Sequence, residues 1–185
     1  MPYYLDTREQ LAGERVNLRL PEPADIAFVQ RLWLDEETMR PVGGPVDATI
    51  ERLQAWYARM VDPGRPTDLY CLICMRETGG AIGEVSFHRL DQAAMSAYLN
   101  IKVASVCRGQ GYGKDALAVF LRFFFVPLGG RELLDDVALA NTSGRRLLEA
   151  MGFERDPHRH EVALMRLTRA RFLELTCATP RDLSR

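Results

Sequence analysis

The stretch Asn100-Ile101-Lys102-Val103-Ala104-Ser105-Val106-Cys107-Arg108-Gly109-Gln110-Gly111-Tyr112-Gly113-Lys114 decides how the chain folds. Its first residues close a strand predicted over 97–103. Its last residues open a helix predicted over 111–126, where Leu117, Phe120, Leu121, Phe124 and Phe125 recur at i, i+3, i+4, i+7 and i+8, the apolar stripe of a helix packed on a sheet. Glycine at 109, 111 and 113 lets the turn bend sharply and leaves its N–H groups uncovered. A helix start carries about half a positive charge and unpaired donors, so this turn suits a phosphate, with Arg108 adding charge beside it. A turn needing glycine for geometry alone is the competing reading. A dinucleotide site fits poorly: Gly109 and Gly111 match its first two glycines, but Lys114 stands at the third.

Working outward, Arg15–Leu20 alternates polar and apolar residues as a half-buried strand does. Residues 24–34 read as a helix, 41–45 as a loop that cannot be helical, and the run from Ile50 through Tyr57 as a helix capped by Thr49 or Asp47. Strands are predicted over 69–76 and 81–90, joined by Thr78-Gly79-Gly80. Beyond the long helix come a strand over 133–140, a helix over 143–151, a strand over 161–167 and a short helix over 168–175. The order β α α β β β α β α β predicts one α+β domain over 1–185, with a central, mostly antiparallel sheet, a core over about 13–168 and a frayed tail.

Composition narrows the function. The 185 residues carry 24 Lys and Arg against 25 Asp and Glu, a net charge of −1, which argues against a partner bound through a broad basic surface, as nucleic acid is. No apolar run reaches the ~20 residues that cross a bilayer, and the first residues lack a signal peptide's pattern. A cytoplasmic protein is expected. Cys71 and Cys74 form a C-x-x-C, but on a strand positions i and i+3 face opposite ways and cannot share a metal. His158 and His160 have no evident third ligand, so no metal is expected.

Three spaced motifs carry a family resemblance. Arg108-x-x-Gly111-x-Gly113 resembles the pyrophosphate loop of the GNAT N-acetyltransferases, an apolar strand ends at Val103 five residues before that Arg, and Asn141 precedes Gly152-Phe153 by eleven and twelve residues. Glu14–Arg19 and the following helix look like the ribosomal-protein-alanine acetyltransferase branch. The resemblance implies a three-layer α/β/α fold whose two middle strands, 97–103 and 133–140, splay apart around acetyl-CoA. Backbone groups of Ile101, Lys102 and Val103 would hold the pantetheine arm, with the N–H near Ile101 stabilising an oxyanion by roughly 3–4 kcal/mol. Arg108, Gly109, Gln110, Gly111, Tyr112, Gly113 and Lys114 would hold the pyrophosphate, and Asn141 the pantetheine or a water.

The implied reaction is acetyl transfer to a primary amine by direct attack. An amine with a pKa of about 8 to 10.4 must lose a proton first. Asp136, five residues before Asn141, matches the acid of relatives; its other reading is a solvated or capping residue. Glu84, which shares a strand face with Ser86 and His88, is the second candidate and would otherwise lie on an exposed polar face. Relatives place a Tyr or a Ser to protonate the leaving thiolate, but Leu148 and Gly144 stand there, leaving Ser143 as a substitute or a helix cap. Trp56, Tyr57 and 42–44 lie where relatives build the acceptor pocket, and Arg145-Arg146 where an adenosine phosphate would be reached. A protein α-amine, an aminoglycoside-like amine and a catalytically silent acyl-CoA-binding module stay open, as do monomer and homodimer.

Overall fold

The computed structural model describes residues 11–157 and 162–177. Its seven strands are β1 (Val16–Arg19), β2 (Leu69–Met75), β3 (Ala81–Asp91), β4 (Ser96–Val103), β5 (Glu132–Val137), β6 (Glu154–Arg155) and β7 (Ala163–Thr168). They form one sheet in the order β1-β2-β3-β4-β5-β7-β6, antiparallel at every step except β4–β5. The parallel step needs a crossover, and α4 (Tyr112–Phe125) supplies it.

Helices α1 (Ile26–Leu34) and α3 (Ile50–Met60) cover one face of the sheet, whereas α4, α5 (Thr142–Ala150) and α6 (Arg169–Cys177) cover the other. Strand β2 shows the division residue by residue: Cys71 and Ile73 pack with α4, while Tyr70, Leu72 and Cys74 pack with α1 and α3. The two thiols of the C-x-x-C therefore lie on opposite sides of the sheet, and both are free. Leu117, Phe120, Leu121, Phe124 and Phe125 are fully buried, so the α4 stripe forms the larger core as its spacing predicts. No helix among the described residues is long and apolar enough to cross a membrane.

Several boundaries differ from expectation. The segment read as a non-helical loop contains a 3-10 turn, Arg40–Val42, preceded by the short helix α2 (Glu36–Met39). Asp35 caps α2 by accepting from the Thr38 N–H at 2.7 Å, and Gly43 and Gly44, at φ 106° and 95°, end the turn. The first helix opens as a 3-10 turn, Pro23–Asp25, held where Arg19 pairs with Asp25 at 2.6 Å. Strand β5 stops at Val137 rather than at 140, because the Ala138 carbonyl turns to accept from the Asn141 N–H at 2.8 Å. The two-residue β6 is too short to show a period. Helix α6 runs to Cys177, past its expected end, whereas His158, His160, Glu161 and residues 178–185 lie outside the described residues.

Candidate active site

The site follows from where one ladder ends. Strands β4 and β5 pair at Ser96↔Glu132, Ala97↔Leu133 and Tyr98↔Leu134 and no further. Beyond Tyr98, β4 stays on β3 as far as Val103, and beyond Leu134, β5 stays on β7 as far as Val137. The arms 99–103 and 135–137 thus part and leave backbone groups without a ladder partner between them. A cavity of about 720 Å³ fills this fork. It reaches from Tyr98 and His88 at the closed end to the glycine turn and Asn141 at the open end.

The open end has the donors a phosphate needs. Gly111, at φ 84°, is the N-cap of α4 and supplies no side chain to its N–H groups. Gly109 has φ 74°, and at both positions the left-handed backbone excludes most other residues. The helix start is anchored from below: the Asp115 carboxylate accepts from the N–H groups of Glu14, Arg15 and Val16 at 3.1, 2.8 and 2.9 Å. The Arg15 guanidinium donates to the Gln110 carbonyl at 2.5 Å and lies over the Tyr112 ring.

Arg108 takes a different part from a free charge beside a phosphate. Its guanidinium donates to the carbonyls of Val103, Glu37 and Thr38 at 3.0, 3.1 and 2.6 Å, which ties the glycine turn to β4 and α2. The Gln110 side chain donates back to Val106, and Gln110 is the one predicted cofactor residue that does not line the cavity. Ile101, Lys102, Val103, Arg108, Gly109, Gly111, Tyr112, Gly113, Lys114 and Asn141 all do. Asn141 is also the N-cap of α5: its side-chain oxygen accepts from the Gly144 N–H at 2.9 Å and from the Ser143 hydroxyl at 3.3 Å. The cap is Asn141 and not Ser143, which lines the cavity as well.

Asp135 and Asp136 are the first residues of β5 past its last pair with β4, and both line the cavity. Asp136 is exposed. Burial and the neighbouring Asp136 charge push the Asp135 carboxyl up to about 7, against the pull of Lys102. The sequence alone assigns Asp135 no part in the transfer.

Glu84 is not on an exposed polar face, and it does not line the cavity. It is buried, and its carboxylate accepts from Trp33 Nε1 at 2.8 Å, from the Tyr70 hydroxyl and from Lys102 Nζ at 2.5 Å. Lys102 Nζ also reaches Asn100 Oδ1 at 3.3 Å, so the network ends at the cavity wall. The cause is non-local: α1 folds across β2 and β3 and places Trp33 over the strand. Burial beside this carboxylate holds the Tyr70 hydroxyl well above its ordinary pKa.

Trp56 is core, packed edge-on against Trp33 and Tyr70, and Tyr57 bonds Pro21; neither lines the cavity, whereas Val42 and Gly43 do. Arg145 and Arg146 do not line it. Leu148 is buried but lines the cavity, and as a leucine it supplies no hydroxyl there. Among the described residues, no group of three His, Cys, Asp or Glu is placed to hold a metal.

The Acetyltransferase (GNAT) domain family matches residues 15–154, most of the chain. The chain belongs to this family. This GNAT chain is 23% identical over 145 residues to the SPbeta prophage-derived uncharacterized N-acetyltransferase YokL of Bacillus subtilis (strain 168), covering 78% of each. Its fold is also that of the Vibrio cholerae spermidine N-acetyltransferase solved in complex with CoA and spermine, at a TM-score of 0.76 and 19% identity over 86% of this chain and 98% of that one. An acetyltransferase from Agrobacterium tumefaciens str. C58 superposes at 0.72 and 21% identity, covering 85% and 92%. In this chain the Asp135-Asp136 pair lies where the sheet opens.

Proposed function

We propose that this acetyltransferase moves the acetyl group of acetyl-CoA to a primary amine that attacks the thioester directly inside the fork. The parting of β4 and β5 after Tyr98 and Leu134 carries the proposal, because it puts unpaired strand backbone, an uncapped glycine-rich helix start and two carboxylates around one cavity. The N–H groups from Gly109 to Lys114 bind the pyrophosphate, with Arg108 fixing the shape of their turn. The strand backbone from Ile101 to Val103 aligns the pantetheine, and the N–H near Ile101 faces the thioester carbonyl.

The amine gives its proton to Asp136, directly or through a water. Its nitrogen then forms the bond to the acetyl carbon, the C–S bond breaks, and the second proton that the nitrogen sheds on becoming an amide passes to water, from which the departed sulfur can take it up. The sulfur leaves as a thiolate, which a thiol pKa of about 8.5 permits without a dedicated acid; Ser143 and Asn141 are placed to hold a water nearby. Glu84 serves by fixing Lys102 and not as the base. The chain from 1 to 185 acts as one domain, and four free cysteines suit a reducing cytoplasm.

Two acceptors have support. Glu14–Arg19 resembles the ribosomal-protein-alanine branch and favours a protein α-amine, while a relative solved with spermine favours a small free amine. Thiol release from acetyl-CoA across peptide, polyamine and aminoglycoside acceptors tests the proposal. Asp136→Asn should lower kcat by roughly 10²–10⁴. Coenzyme A that binds while no amine is acetylated would favour a silent acyl-CoA-binding module instead.

A further inference from the structure

Four cationic side chains line the cavity among the described residues, and three are accounted for. Lys102 is paired with Glu84, Arg108 is spent on three carbonyls, and Lys114 sits in the first turn of α4 beside the phosphate loop. Arg89 is the fourth, and among the described residues its guanidinium has no ion-pair partner. It lies at the closed end, away from the phosphate turn. His88 faces Tyr98 across the β3–β4 ladder, their rings stack at 5.9 Å, and the Arg89 guanidinium lies 6.0 Å from the Tyr98 ring.

The backbone holds Arg89 in this place at a cost. The β3–β4 register breaks between His88 and Asp91, and Arg89 takes φ 55°, a conformation a long side chain rarely adopts. The buried Asp68 carboxylate accepts its N–H at 2.9 Å, and the next N–H, that of Leu90, bonds the Thr67 carbonyl at 2.9 Å. Strained residues held by their surroundings mark functional sites. The kink presents a positive charge where the acceptor's far end would lie.

Resting on the transferase reading above, we propose that Arg89 receives a carboxylate carried by the acceptor, so the substrate is a primary amine with an anionic group several bonds from its nitrogen. The path runs two ways: Tyr98 stands roughly 7 Å back along the strand from the level of Asp136, and Arg89 lies on β3, one strand beyond β4, so the acceptor must also cross β4. An extended chain of about six bonds covers the first part alone, so the acceptor is at least that long. A polycation of the same length would have to lay a second ammonium beside Arg89.

Matched acceptors isolate the charge. The ratio of kcat/KM for 6-aminohexanoate over hexane-1,6-diamine is measured at saturating acetyl-CoA, and the pair is repeated with chains lengthened stepwise to about ten carbons. The expected ratio is about tenfold or more in the native protein. It should fall to near one in Arg89→Asn, a residue that tolerates the left-handed backbone, and be retained in Arg89→Lys. The native ratio needs no variant. A native preference for the diamine, or a preference that survives Arg89→Asn, overturns the inference and leaves the transferase standing. Turnover of neither member at any length while coenzyme A still binds overturns it too. Coenzyme A failing to bind removes the transferase reading itself.

Discussion

Breaking the Glu84–Lys102 pair tests whether the cavity wall is preorganised. Glu84 is 2% exposed and the Lys102 side chain 10%, so water cannot compensate whichever charge is left behind. Removing one partner of a buried pair costs about 3–5 kcal/mol. For a chain of this length each kcal/mol lowers Tm by about 2–4 °C, so Glu84→Gln and Lys102→Met should each melt roughly 6–20 °C below the native protein. The double variant should be cheaper than the two singles combined by about 2–3 kcal/mol, since it leaves no orphaned charge and the new Gln still accepts from Trp33 and Tyr70. Calorimetry at pH 7, with and without 1 M salt, measures all four proteins. Salt should change the cycle little, because buried charges are poorly screened. Single-variant shifts below 2 °C, or strict additivity, would refute the reasoning and return Glu84 to the list of candidate bases.

Asp135 gives a pH dependence with a definite sign. The fold holds its carboxyl at about 7 against an ordinary 3.8, so the folded chain keeps a proton that the unfolded chain releases between these values. Stability from this group therefore falls as pH rises from about 4 to 7 and levels off above, and Asp135→Asn should remove that slope from a plot of Tm against pH. Asp136→Asn takes away the neighbouring negative charge and should move the Asp135 titration downward in a carboxyl NMR experiment. Gly111→Ala meets nothing nearer than Arg15 Nη1 at 3.5 Å, so its cost is the left-handed backbone, about 1–2 kcal/mol, visible as a Tm lower by a few degrees in calorimetry. Gly83→Ala would bring its Cβ to 2.2 Å from the Lys102 carbonyl oxygen, forcing β3 from β4; a melting loss of several degrees is expected.

What the sequence made legible was local. The α4 stripe, the glycine turn before it and the strands follow from spacing along the chain, and all but β5, which stops three residues early, fold within a residue or two of their expected bounds. The burial of Glu84 was not legible, because alternation places it with Ser86 and His88 on one face but cannot say that Trp33 and Tyr70 will close over that face. Asp135 was passed over for the same reason: its environment is made by β7 and Lys102, elements distant in sequence. Arg89 lies at a break in register between two strands, and a register exists only once both are paired. The helix α2 rests on one cap, Asp35 to Thr38, just ahead of the 41–45 stretch whose prolines and glycines read as loop.

The fork itself follows from topology. A parallel neighbour for β4 must arrive through a crossover, so the helix that makes it starts beside the far end of β4, and its uncapped N–H groups face the space next to that strand. If β5 then paired along the whole of β4, the sheet would seal this space and the donors would serve only a turn. Instead, pairing stops after three residues, although β5 keeps β7 along its full length, from Glu132↔Thr168 to Val137↔Ala163, and β4 keeps β3. Each arm thus keeps one outer partner and turns an unsatisfied edge inward. Unpaired strand edges are costly unless covered, and an extended chain with alternating carbonyl and N–H groups, such as a pantetheine arm, is the kind of ligand that satisfies two at once. The same opening exposes Asp136 and leaves Asp135 half-enclosed, so the carboxylate proposed to deprotonate an amine and the backbone proposed to align its target come from one interruption in one ladder.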